Sequence, residues 1–289
     1  MMDFKTLHPL VTFIYFVMAA VFSMAGHNPV IVAISALAAF LYNVMLKKNI
    51  RFVIAVIPIM LFVALLNPVF SHKGATILFY LGNPITLESI LYGVCAAFML
   101  FAVLMWFGAF NIIMTSDKIM YIFGKIMPKA SLIISMTLRL VPRLKNQLKT
   151  ILECQKMVGR DINEGGIIYK IKVSGKALYS LMGWLLESSL VTSDVMQARG
   201  YGNKGRSNYT IYSFTRRDKS VLFMVLALSA FVIYGFIGEK LRFEFYPLIY
   251  CESISKSIFY YFCFFVFAFF PVVYDCCEVA KWKSLKSKI

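Results

Sequence analysis

The vocabulary of catalysis and metal binding is scarce in this chain. Its six cysteines (Cys95, Cys154, Cys251, Cys263, Cys276 and Cys277) include no Cys-x-x-Cys pair, and none stands at ligand spacing from the three histidines, His8, His27 and His72. No metal site is expected. Most of these cysteines fall in apolar runs or basic segments, where thiols stay reduced, so no disulfide is expected either. There is no Gly-Lys-Ser/Thr phosphate loop, no nucleophile elbow and no His-Glu-x-x-His. The chain is therefore not expected to hydrolyse ATP itself, to carry a cofactor or to act as an enzyme. A lipid or prenyl transferase needs acidic clusters that hold Mg²⁺ on a diphosphate. The nearest approach here, Asp161-Ile162-Asn163-Glu164, is a single turn with no second cluster, and an Asx-type turn explains it more simply. Phe and Tyr are plentiful but sit inside hydrophobic runs rather than between Lys and Arg, so no base-stacking surface for nucleic acid is expected.

What the chain does have is apolar length. Of its 289 residues, 60% are hydrophobic, above the usual half of a soluble protein. Runs 10–26, 29–46, 52–71, 85–114, 220–238 and 257–274 reach, wholly or nearly, the roughly 20 residues that a helix needs to cross the hydrocarbon core. The expectation is an all-α, polytopic membrane protein with about six transmembrane helices. Residues 10–25, with Ser23-Met24-Ala25, imitate a signal peptide, but only Lys5 faces Asp3 in the leading segment, so this stretch is read as a retained span.

The net charge of +16 distributes as topology requires. The loop Lys47-Lys48-Asn49-Ile50-Arg51 is basic, whereas 72–84 carries only Lys73, which places the first inside and the second outside. Gly26-His27-Asn28-Pro29 turns the first two spans into a hairpin, and Asn83-Pro84 reads as the cap and first-turn proline of the fourth. The long basic stretch up to Lys219 is then cytosolic, and Lys281, Lys283, Lys286 and Lys288 keep the tail inside. The regions are 1–116 (four spans), 117–219 (cytosolic insert) and 220–289 (two spans and tail), with both termini cytoplasmic.

The insert reads as long amphipathic helices. Ile133, Met136, Leu140, Leu144, Leu148 and Ile151 recur at steps of three or four, and Pro142 is expected to kink this helix near Leu138 and Arg139. After the turn at 161–166, a second helix runs from Ile167 to Gly200, opening with Lys170, Lys172 and Lys176. Ala177, Ser180 and Gly183 form a ridge of small residues that lets another helix approach closely. Gln197-Ala198-Arg199-Gly200-Tyr201-Gly202 closes this helix. The side chain of Arg199, between Ala and Gly, is unobstructed and suited to bidentate pairing with carboxylates, although a solvated arginine at a helix end is the ordinary case. Gln155-Lys156-Met157-Val158-Gly159-Arg160 ends the previous helix in the same manner, as a docking point or as a plain glycine cap. Arg139 and Arg143 suit lipid phosphate, interhelical pairing or a partner protein.

The succession Leu66-Asn67-Pro68, Gly82-Asn83-Pro84-Ile85-Thr86-Leu87-Glu88, Ser135-Met136-Thr137-Leu138-Arg139-Leu140-Val141-Pro142, Ile151-Leu152-Glu153-Cys154-Gln155-Lys156 and Gln197-Ala198-Arg199-Gly200-Tyr201 resembles the transmembrane T component of energy-coupling factor (ECF) transporters, the EcfT/CbiQ family. The likeness covers roughly residues 1–240. It implies a scaffold in the bacterial cell membrane whose cytosolic coupling helices join two ABC-type ATPases to a substrate-binding S component for a vitamin or metal ion. In that family two Ala-Arg-Gly-like motifs offer an arginine to acidic grooves of the ATPases. By resemblance Ala198, Arg199 and Gly200 form the second motif, and Ala177, Ser180 and Gly183 the S-component contact. The first motif departs from the pattern: Met157, Val158 and Gly159 lack the arginine. Arg160 lies about 200° further round a continuous helix and would serve only if the helix stops at Gly159. A conventional ABC permease lining its own pathway and a membrane lipid or prenyl transferase are the competing readings; few ionisable residues lie within the spans.

Overall fold

The computed structural model describes residues 4–46, 50–70, 74, 76–81, 83–162, 165–203, 212–238, 240–241, 243–246, 250–251 and 254–286. Asp3, Lys47, Lys48, Asn49, His72, Lys73, Gly82, Asn163, Glu164 and Lys288, named above, lie outside the described residues.

Helices dominate: α1 (Pro9–Met24), α2 (Pro29–Met45), α3 (Ile50–Phe70), α4 (Leu87–Ile113), α5 (Ser116–Ile126), α6 (Pro128–Met157), α7 (Ile167–Ala198), α8 (Arg216–Ile237) and α9 (Ile254–Lys286). Two short antiparallel ribbons, β1 (Ile77–Leu81) with β2 (Asn83–Thr86) and β3 (Phe243–Glu244) with β4 (Tyr250–Cys251), interrupt them. The chain is an all-α membrane protein. Among the described residues, four helices carry apolar stretches long enough to span a bilayer, Phe52–Phe70, Leu87–Ile113, Arg216–Ile237 and Ser257–Lys281, while α1 and α2 are apolar but shorter, at 16 and 17 residues.

Local chemistry explains the boundaries. The side chains of His8 and Asn28 cap α1 and α2 by accepting from the backbone two residues on, each before a first-turn proline. Thr215 and Asp218 form a capping box at α8. At α4 the sequence expectation is corrected. Asn83 and Pro84 belong to β2, and the cap is Thr86, whose hydroxyl accepts from the Ser89 N–H at 3.3 Å. Asn-Pro suits a helix start, but here the backbone of 83–86 pairs with 77–81 instead. The helix α6 is unbroken through Pro142, and α9 continues the last span to Lys286, so Lys281, Lys283 and Lys286 of the basic tail lie on a helix.

The chain divides into two compact units, residues 1–119 with 212–289, and residues 120–211. In the first unit α4 packs against α1, α2 and α3, and α9 against α2 and α8. Its centre is aromatic: Tyr15 meets Phe4 at 5.5 Å, Trp106 at 5.9 Å and Phe267 at 5.1 Å between ring centroids. One end gathers the α1–α2 turn, the start of α4 and the β3–β4 connection, where Tyr92 stacks on His27 and touches Phe245. The other end gathers the N-terminal turn, the start of α5 up to Ile119, the start of α8 and the later part of α9. There the Phe4 N–H donates to Asp275 Oδ1 at 2.7 Å, the His8 N–H to Asp218 Oδ1 at 3.3 Å, and Lys118 Nζ to the Lys5 carbonyl at 2.6 Å. Burial, reinforced by the like charge of Lys5, holds the Lys118 ammonium below the usual lysine range.

Buried polar groups tie the helices where apolar packing alone has little direction. Trp106 Nε1 donates to Ser35 Oγ at 2.9 Å, and that hydroxyl is 2.5 Å from Ser23 Oγ. Asn43 Nδ2 donates to the Ala39 and Met105 carbonyls, both at 2.8 Å, joining α2 to α4. Ser35→Ala leaves the indole N–H buried without its acceptor and should lower stability by about 1–3 kcal/mol in a thermal unfolding series in detergent. An unchanged midpoint would show that this bond is not structural.

Candidate functional site: two helix ends on a helical hairpin

The second unit is organised by α6 and α7, of 30 and 32 residues. They pack against each other as an antiparallel pair: Arg143 on α6 meets Trp184 on α7, with the guanidinium carbon 4.9 Å from the ring centroid. Interhelical contact is thus what Arg143 makes. The leucine periodicity is realised: Leu140, Leu144, Leu148 and Ile151 are half-buried, whereas Ile133 and Met136, towards the start of α6, are exposed. No residue of α6 is fully buried, and in α7 only Val173 and Ala177 are. Ile134, Leu138 and Val141 on α6, and Leu186, Leu190 and Val191 on α7, are exposed. An apolar surface of this kind marks contact with other molecules.

The two helix ends share one architecture. At α6, Gly159 has φ +77°, its N–H donates to the Lys156 carbonyl at 3.0 Å, and the Arg160 N–H donates to the Gln155 carbonyl at 2.9 Å. At α7, Gly200 has φ +79°, its N–H donates to the Gln197 carbonyl at 2.9 Å, and the Tyr201 N–H donates to the Met196 carbonyl at 3.0 Å. Both are Schellman motifs, in which glycine takes the left-handed conformation and two otherwise orphaned carbonyls are satisfied. The shared geometry fixes an equivalence: Met157 matches Ala198, Val158 matches Arg199, Gly159 matches Gly200, and Arg160 matches Tyr201.

Arg199 is exposed, and among the described residues its side chain has neither hydrogen bond nor ion pair. Its counterpart Val158 is 74% exposed, beside Met157 at 86%. The helix does stop at Gly159, so Arg160 is off the helix, but it occupies the place of Tyr201 rather than that of Arg199. The two ends are also far apart. Arg160 borders the same cleft as Lys172 and Lys176, and Arg199 lies roughly 35–40 Å further along α7 at about 1.5 Å per residue.

The small-residue ridge is split. Ala177 is buried, at 1% exposure, while Ser180 and Gly183 are exposed, and nothing lies within 4 Å of where a Gly183 Cβ would stand. Steps of three turn a ridge about 60° at each residue, enough to carry one end into the hairpin and leave the other outside. Two further features went unread in the sequence. One is Trp184 as the partner of the interhelical contact expected of Arg143. The other is the convergence of Lys172 and Lys176, visible beforehand only as two lysines one turn apart, with Arg160. A cavity of about 420 Å³ also lies between the helices near the second end, bordered by Met136, Leu140 and Arg143 on one side and Met196, Gln197 and Tyr201 on the other.

The second unit is thus an exposed helical hairpin whose two helices end in matched caps. The profile of the CbiQ family, described as a cobalt transport protein, matches residues 3–210, and the chain belongs to this family. It is 28% identical over 218 residues to the energy-coupling factor transporter transmembrane protein EcfT of Streptococcus equi subsp. equi, covering 71% of this chain and 80% of that protein. The EcfT protein of Lactobacillus helveticus is 31% identical over 119 residues, 40% of this chain and 43% of its own length. That of Lacticaseibacillus paracasei is 37% identical over 93 residues, 30% and 34% respectively.

Proposed function

We propose that this chain is the non-catalytic transmembrane scaffold of an ECF-type importer, coupling ATP hydrolysis by two ABC-type ATPases to movement of a small substrate-binding S component that carries a vitamin or metal ion inward. In this reading the protein is multi-pass in a bacterial cell membrane, with four spans, the α6–α7 insert on the cytosolic side, two more spans and both termini inside. The observation that carries it is Arg199, held at the capping position of α7 with no partner among the described residues. A guanidinium so displayed is matched to an acidic groove on another protein. Ala198 and Gly200 leave it room. At the other helix end Met157, Val158 and Gly159 meet the second ATPase through apolar contact, with Arg160 beyond the turn. Ser180 and Gly183, next to Ala177, are the open stretch where the S component packs.

The test is an affinity pull-down of the full-length chain from native membranes with partners identified by mass spectrometry. Two ATPase chains and a separate small membrane protein are expected. Recovery of no ATPase would overturn the scaffold reading. ATPases without a small membrane protein, together with transport by this chain and the ATPases alone, would favour a permease that lines its own pathway.

A further inference from the structure

Beside the first helix end, a cleft of about 560 Å³ opens between the last turn of α6 and the first half of α7. Three cations line it. Lys172 and Lys176 are one turn apart on α7 and so project from the same face, and Arg160 enters from the opposite wall because Gly159 turns the chain there. Among the described residues none of the three has a carboxylate partner, and the neighbouring acid, Asp161, is held by Lys156 at 2.9 Å. Tyr179 and Ser180 bring hydroxyl donors to the same cleft, and nothing stands within 4 Å of where a Gly175 Cβ would be, so its floor is open. Three converging cations with hydroxyls around an open floor suit a phosphate group.

The rim selects among phosphates. Ile168 lies one turn before Lys172 on the face that carries the cleft, and Ile171, one turn before Gly175, stands to its side; they are 85% and 66% exposed. A free phosphate makes no use of these side chains, whereas an acyl chain covers them. We infer that the cleft is a site for an anionic phospholipid, its headgroup phosphate held by Arg160, Lys172 and Lys176 and its acyl chain laid along Ile168 and Ile171. The inference rests on this cleft lying at the membrane surface. It does not rest on the ATPase assignment, and Ser180, given above to the S component, is not required for it because Arg160, Lys172 and Lys176 carry the charge. A lipid seated there bridges the end of α6 to α7 and gives Arg160 a role apart from the capping position it does not occupy.

The full-length chain in zwitterionic detergent, offered phosphatidylglycerol, phosphatidylcholine or inorganic phosphate, tests this by native mass spectrometry of bound lipid. Phosphatidylglycerol should be retained over phosphatidylcholine. Lys172→Gln with Lys176→Gln should reduce that preference about 30-fold, at roughly fivefold per cation, and Lys172→Arg with Lys176→Arg should preserve it. Ile168→Ser with Ile171→Ser should weaken retention of phosphatidylglycerol. A preference unchanged in the glutamine double variant would overturn the site. So would full displacement of lipid by equimolar inorganic phosphate, which would make the occupant a free anion. If the glutamine variant keeps its lipid preference but loses a protein partner in the membrane pull-down, the cleft takes an acidic protein segment and the lipid assignment fails.

Discussion

Arg199→Glu should strip ATPase from the complex while leaving the chain folded. If Arg199 docks as proposed, reversing the charge removes the guanidinium's bonds to an acidic groove and sets like charges against each other, a change worth about 2–5 kcal/mol for a buried pair, or roughly 30- to several-thousand-fold in retention. The fold should tolerate the change because the side chain of Arg199 makes no hydrogen bond or ion pair among the described residues, and the Schellman bonds run through the backbone of Gly200 and Tyr201. Glutamate at a helix C-terminus opposes the macrodipole by about 0.3–1 kcal/mol. Arg199→Gln avoids that cost and isolates the loss of charge, and it should still weaken retention at least tenfold. The readout is ATPase recovered per chain in the pull-down, with the thermal midpoint as control. Full ATPase recovery from Arg199→Glu would remove the docking role from this residue.

Much of this organisation was legible because it depends on period and punctuation. Leu140, Leu144, Leu148 and Ile151 mark the face that α6 turns to α7, and Gly159 and Gly200 mark the two helix ends. Both signals are local, so they survive whatever the rest of the chain does. The membrane character followed from apolar runs that no soluble fold of this size would carry. What escaped depends on return of the chain. Arg160 is separated in sequence from Lys172 and Lys176 by a turn, and only the antiparallel path of α7 brings them to one cleft. Asn83 and Pro84 suit a helix start or an edge strand equally, and pairing with 77–81 decides between them. Ala177, Ser180 and Gly183 looked equivalent as small residues, yet burial of Ala177 with Val173 separates them.

The second large effect concerns the place where an arginine is missing. Because both helices end in the same motif, Val158 stands where Arg199 stands on α7, and Val158→Arg is structurally admissible: an arginine already occupies this position in an identical cap. The substitution therefore reports the partner surface and not the fold. An exposed valine beside an exposed methionine at a docking position suits a groove that is itself apolar, so an arginine pushed into it would bury an unpaired charge. Val158→Arg should weaken recovery of one ATPase by about 30- to 150-fold, equivalent to roughly 2–3 kcal/mol, with the other unchanged. Arg160→Ala, at the place of Tyr201, should change transport less than about threefold, against at least 30-fold for Arg199→Ala. Equal harm from these two alanine variants would show that the helix ends work alike. Tighter ATPase recovery with Val158→Arg would show that both grooves are acidic, and that the first helix end has lost a charge its partner still accommodates.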